Sequence, residues 1–122
     1  MRRYEPTDYA DLRAWHEARG ETAPDAGRLP GIGFIEPGVA LGFLYCTDSA
    51  LALVDLFVSN PAAAAARRGR ALLGIERALA AEAKRLGFSG VLAITREPGI
   101  ERAAQRNGYR HLGRFAMLYR EG

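Results

Sequence analysis

The sequence predicts an α+β (mixed α/β) fold with element order β-α-β-β-β-α-β-α-β and a mixed, mostly antiparallel sheet holding a central parallel pair. Two observations carry this. Three strand-like runs (31–36, 39–45 and 50–59) follow one another across turns short enough to make them antiparallel neighbours. The last run then passes through Asn60-Pro61 into a long amphipathic helix and on to a short apolar run at 90–95, GVLAIT. A strand–helix–strand passage of that length implies a parallel pair with a right-handed crossover.

The 122 residues make one domain, 1–122, large enough for a real core and too small for a second module. Apolar residues at 48% and charged residues at 25% are ordinary for a soluble globular chain. No apolar run approaches the length of a membrane span and no signal-peptide core follows Met1, so no membrane and a cytoplasmic location are expected. Cys46 is the only cysteine, and His16 and His111 are the only histidines, which speaks against a disulfide and a zinc site. No metal is expected. The net charge of +3 suits anionic small molecules or nucleic acid without choosing between them.

The elements follow in order. Residues 2–5 make a short strand stopped by Pro6, and Thr7 is a good N-cap for a helix reaching about Arg19. Gly20 ends that helix, and 21–31, with two prolines and two glycines, is a loop. After the three strands, Leu72, Ile75, Leu79, Ala83 and Leu86 form one apolar helical stripe, with Arg70, Arg77, Lys84 and Arg85 on the wet side. Leu53 or Val54, Leu72, Ile75, Leu79, Val91 and Ile94 are expected to meet in one core. Gly87 stops the helix, 100–107 is a second short helix closed by Gly108, and 109–119 supplies a final strand or a very tight hairpin around Gly113.

The informative end of the long helix is its entry, Arg67-Arg68-Gly69-Arg70-Ala71. A helix N-terminus leaves backbone N–H groups unpaired and carries partial positive charge. Small residues beside arginines would let a phosphate or pyrophosphate approach that backbone closely. A basic surface helix with a glycine near its start is the plainer reading of the same residues.

This order and its punctuation resemble the GNAT superfamily of acyl-CoA N-acyltransferases over almost the whole chain. Val58-Ser59-Asn60-Pro61 looks like the end of the family's fourth strand, and Arg67-Arg68-Gly69-Arg70-Ala71 is similar to its pyrophosphate loop, Q/R-x-x-G-x-G/A. The helix ending Ala-Glu-Ala-Lys-Arg-Leu-Gly-Phe and the stretch Arg106-Asn107-Gly108-Tyr109 are family-like too. Three departures stand out. The first loop position falls on Ala66, the family's general-acid tyrosine position falls on Ala104, and the chain is short.

The resemblance implies acetyl-CoA as co-substrate, with its pyrophosphate on the N–H groups of Arg67, Arg68, Gly69, Arg70, Ala71 and Leu72, chiefly from Arg68 onward. It also implies a pantetheine arm lying along Leu56, Phe57 and Val58 like an added strand. An amine of a small molecule or protein would attack the acyl carbonyl directly. A homodimer is compatible with it.

Asp55 is the one acid inside an apolar strand, LALVDLFVS, and a carboxylate there could bind an amine or take its proton. By alternation it shares a face with Phe57 and opposes Val54, Leu56 and Val58. A solvent-facing or salt-bridged strand residue is the alternative. Tyr45, Tyr109 and Tyr119 are candidate proton donors that no spacing ranks. His16 sits beside Trp15 on the first helix, whose C-terminal end, by the same resemblance, borders the acceptor pocket, with a structural or surface histidine as the plainer reading. Arg96 and Glu97 follow the crossover strand, where they would flank a cofactor or lie in a solvated loop. Two other readings compete with the acetyltransferase. One is a non-catalytic GNAT-like binding or assembly module of phage or prophage type, favoured by Ala104. The weaker one is nucleic-acid binding through Arg67, Arg68 and Arg70, which lacks interleaved aromatics.

Overall fold

A computed structural model describes residues 1–95 and 97–122. Its elements are β1 (Arg2–Arg3), α1 (Tyr9–Glu17), β2 (Ile32–Glu36), β3 (Ala40–Tyr45), β4 (Leu51–Ser59), α2 (Ala65–Arg85), β5 (Gly90–Ala93) and α3 (Pro98–Arg106). The five strands form one sheet in the order β1-β2-β3-β4-β5, antiparallel except for the parallel β4/β5 pair. The α+β class and the order of elements through α3 are those the sequence predicts.

Two details differ. Residues 109–122 form no strand, so β5 closes one edge of the sheet and the parallel pair lies at that edge rather than in the middle. Leu112, Phe115, Met117, Leu118 and Tyr119 are well exposed there. Alternating apolar residues make a strand only when a neighbouring edge pairs with them. The first helix is also entered differently. A 3-10 turn over Pro6–Asp8 precedes it, and Asp8, not Thr7, does the capping. The Asp8 carboxylate accepts the Glu5 N–H at 2.8 Å and a two-pronged Arg2 guanidinium at 2.8 Å on each oxygen. That pairing holds its pKa below the usual carboxylate range.

The sheet is covered on both faces. Against α2 lie Val39, Ala40, Leu44, Ala52 and Val54, packed on Ile75, Leu79 and Ala83. Against α1 lie Ile35, Leu41, Phe43 and Val58, packed on Leu12 and Trp15. Leu72 and Val91 join the first cluster from its margin, as expected, but Ile94 is 45% and Leu86 43% exposed, so neither belongs to the core. Gly87 at φ +94° ends α2, with Phe88 N–H on the Ala83 carbonyl and Gly87 N–H on Lys84, both at 3.0 Å. These bonds satisfy carbonyls the helix end would leave open and aim the chain back into β5.

Candidate active site

The site begins where two parallel strands part. β5 pairs with β4 only from Leu51↔Gly90 to Val54↔Ala93, and β4 runs on through residues 55–59 without it. At that point β4 also carries a bulge: Leu41 pairs with Val58 and Phe43 with Asp55, two steps on β3 against three on β4. Leu56 takes up the extra residue at φ +58°, a conformation costing an L side chain roughly 1–2 kcal/mol. The strand bends, β5 cannot follow, and a cleft of about 1240 Å³ opens between them.

The bulge corrects the alternation the sequence suggested. Asp55 lies opposite Phe43, on the α1 face, and Leu56 and Val58 pack on that same face. Phe57 is the residue sent across, into the α2 cluster beside Val54. One inserted residue puts two successive side chains on one side, and a period-2 reading has no means of seeing it.

The cleft is walled by β4, the first turns of α2, the segment entering α3, and the end of α1. It brings together Asp55, Leu56, Phe57, Val58, Arg68, Gly69, Arg70 and Leu72. Arg67 and Ala71 instead line a separate depression of about 330 Å³ beside Met1, Glu36 and Gly74, which Arg70 also reaches.

The long helix starts earlier than its arginines and glycine suggest. Ala64 is the N-cap, no side chain caps it, and Arg68 N–H already donates to the Ala64 carbonyl at 3.0 Å. The N–H groups without helical partners are therefore those of Ala65, Ala66 and Arg67, not those from Arg68 to Leu72. Alanine forms helix more readily than any other residue, so the helix takes in the end of the alanine run. The turn before it is pinned by Asn60, whose Oδ1 accepts Ala62 N–H at 2.9 Å and whose Nδ2 donates to the Gly38 carbonyl at 3.0 Å.

Asp55 is half-buried, and burial raises its pKa, opposed by a hydrogen bond from Leu56 N–H. Tyr45 is close enough for the Asp55 charge to add to the upward push that burial gives its phenol. Tyr109 is tucked against α2 and raised by burial and by Glu76, while Tyr119 reaches the cleft wall from the C-terminal segment. Ala104 is buried, with no phenol at that position. Glu97 lines the cleft, and Arg96 lies outside the described residues.

Three side chains gather at the α1 end: His16, which the sequence singles out, and Arg19 and Glu21, which carry little signal there. Arg19 donates to the Ser59 hydroxyl at 2.7 Å and carbonyl at 3.0 Å, tying α1 to the end of β4. Glu21 follows Gly20 and returns toward His16, both of them facing the cleft. Among the described residues no group of three or more side chains could hold a metal ion, and no helix is long and apolar enough to cross a membrane.

No protein-family model matches the chain, and no curated protein does. Solved structures do. TTHA1254 from Thermus thermophilus is 19% identical, matching 99% of this chain and 97% of its own, with TM-scores of 0.66 for the wild type and 0.68 for a point variant. A structure described as a "putative acetyltransferase" from Agrobacterium tumefaciens str. C58 is 18% identical over 98% of each chain, TM-score 0.57. At such identities the likeness is one of fold: this chain shares the mixed α+β fold of those proteins.

Proposed function

We propose that the protein is an acyl-CoA-dependent N-acetyltransferase of the GNAT type, moving an acetyl group from acetyl-CoA to an amine of a small molecule or protein. The observation that carries this is the parting of β4 and β5 at the Leu56 bulge, directly before the uncapped, arginine-flanked start of α2. An unpaired strand edge of residues 55–59 can accept an extended amide-bearing arm as if it were another strand. The free N–H groups of Ala65, Ala66 and Arg67, with the side chains of Arg68 and Arg70 lining the cleft beside them, suit the pyrophosphate at the far end of that arm.

From the α1 face, Asp55 meets the acceptor. Its carboxylate holds the ammonium in place; the amine must then give up a proton, to that carboxylate or to another base of the cleft, before it attacks the thioester carbonyl. Calorimetry with acetyl-CoA tests the reading, and forms lacking the charged end should bind more weakly. Nothing lies within 4 Å of a Cβ built on Gly69, so Gly69→Asp adds charge without a clash. Binding should fall about tenfold or more; unchanged affinity would put the pyrophosphate elsewhere. The buried Ala104 favours a second reading, a GNAT-like module that binds without turnover, of the kind a phage or prophage would encode. Binding of acetyl-CoA with no acetyl transfer to any amine would support it.

A further inference from the structure

His16 is nine-tenths buried on the last turn of α1, and it lines the cleft beside the end of β4. Neither ring nitrogen has a hydrogen-bond partner among the described residues, and both are closed off from solvent as the ring stands, so a partner from the cleft reaches them once the ring turns. A neutral imidazole in that state leaves one N–H and one lone pair unsatisfied, which costs on the order of 1–3 kcal/mol per group. Folded chains seldom leave such a group idle, and in a cleft the missing partner is a ligand or a water.

The chain supplies one group that can orient the ring. Gly20 at φ +71° turns the backbone so that Glu21 N–H donates to the His16 carbonyl at 3.0 Å. That turn brings the Glu21 carboxylate 3.9 Å from His16 Nδ1, too far for a direct hydrogen bond and right for a water between them or a small side-chain rotation. A carboxylate on that side favours the tautomer with the proton on Nδ1, leaving the Nε2 lone pair as the base. Burial lowers the imidazole pKa, with Arg19 adding to the fall and Glu21 opposing it, so the ring is neutral near pH 7. Asp55 on β4 and Arg68 on α2 are charged groups that line the same cleft, and Arg19 is committed to Ser59.

From this arrangement we infer that His16 carries the proton away from the acceptor amine, with Glu21 as the residue that positions its ring. The inference rests on the acyl-transfer reading and assigns a second role beside Asp55, which holds the ammonium. With the ring turned toward the cleft, the ammonium gives one proton to Nε2, directly or through one water. The freed lone pair forms the C–N bond, and the C–S bond breaks with its electron pair leaving on the thiolate. The second amine proton goes to that thiolate, and the imidazolium returns its own to solvent.

The test uses the full chain, acetyl-CoA and a panel of amines, with His16→Gln and Glu21→Gln. His16→Gln should lower kcat about 10²-fold, with acetyl-CoA affinity unchanged, and should remove the acidic limb of the kcat profile. Glu21→Gln should keep the fold, lower kcat less, and move that limb to lower pH. Nitrogen-detected NMR of the wild-type histidine rings reads the tautomer without any turnover and is unaffected if His16→Gln folds poorly. An Nδ1–H tautomer whose titration moves down in Glu21→Gln supports the inference. An Nε2–H tautomer, a titration that Glu21→Gln leaves in place, or an unaltered pH profile in His16→Gln overturns it while acetyl transfer stands. If the wild type neither binds acetyl-CoA nor acetylates any amine, the acyl-transfer reading fails and takes this inference with it.

Discussion

The ring of Phe57 lies directly on the bare backbone of Gly42. A Cβ built on Gly42 would come within 2.6 Å of Phe57 Cδ1 and 2.7 Å of Cε1, with Ile75 Cγ2 at 3.3 Å. The glycine on β3 thus makes the seat that lets the side chain sent across by the bulge lie flat as a cleft wall. Gly42→Ala should cost about 1–3 kcal/mol in chemical denaturation, as an overpacked core does. In a double-mutant cycle Phe57→Ala should relieve most of that cost, because the closest clash is with the ring. Strictly additive losses would show that the two residues do not meet.

Asp55 is the residue whose position depends most on the same bulge. Asp55→Asn keeps the shape and removes the charge that faces the acceptor. Acetyl-CoA affinity should persist while kcat/KM for the amine falls about 10²-fold or more, with most of the loss in KM if holding the ammonium is its chief role. An unchanged kcat/KM and an unmoved pH profile would leave Asp55 as a structural strand residue.

Leu79 is fully buried where α2 meets the sheet. Leu79→Ala should cost about 2–4 kcal/mol of unfolding free energy. A loss well under 1 kcal/mol would mean that α2 presents another face to β2, β3 and β4.

Glu76 is an acid inside the α2–α3 contact. It accepts from the Asn107 amide, whose Oδ1 in turn takes Arg77 Nε–H at 2.7 Å. Tyr109 stands near it without completing a well-formed bond: Glu76 Oε1 and the Tyr109 hydroxyl are both buried and, among the described residues, unpaired. Burial pushes the Glu76 pKa above its ordinary 4.5, against the pull of these neighbours. As pH rises past 4.5 the unfolded chain ionises first, so stability falls until the folded-state pKa is passed. Glu76→Gln should remove that fall and stabilise the protein at neutral pH, as read from melting temperatures across pH. Asp8 and Glu82 act in the opposite sense: their ion-paired stability is present above their ordinary values and is lost on acidification, for Glu82 down through about 2.

The layers of this protein are legible in its amino-acid order alone. Periodicity of 3.6 in α2, short polar turns between β2, β3 and β4, and the crossover into β5 are local signals, and each produced the element it encodes. Asp55 and the arginines at the start of α2 also stand out as unusual from the chain alone. Which side of the sheet Asp55 faces is a matter of tertiary pairing, because a bulge depends on how β3 pairs with β4, not on the side chains of β4 alone. The same holds for the free N–H groups of Ala65, Ala66 and Arg67, since helix-forming alanines extend the helix past the glycine that seemed to open it. The strand expected at 109–119 shows this limit from the other direction. Its alternation is legible, but a strand is made by a partner edge, and among the described residues none pairs with it. His16 and Glu21 are five residues apart in sequence, and the turn at Gly20 sets them side by side in the cleft.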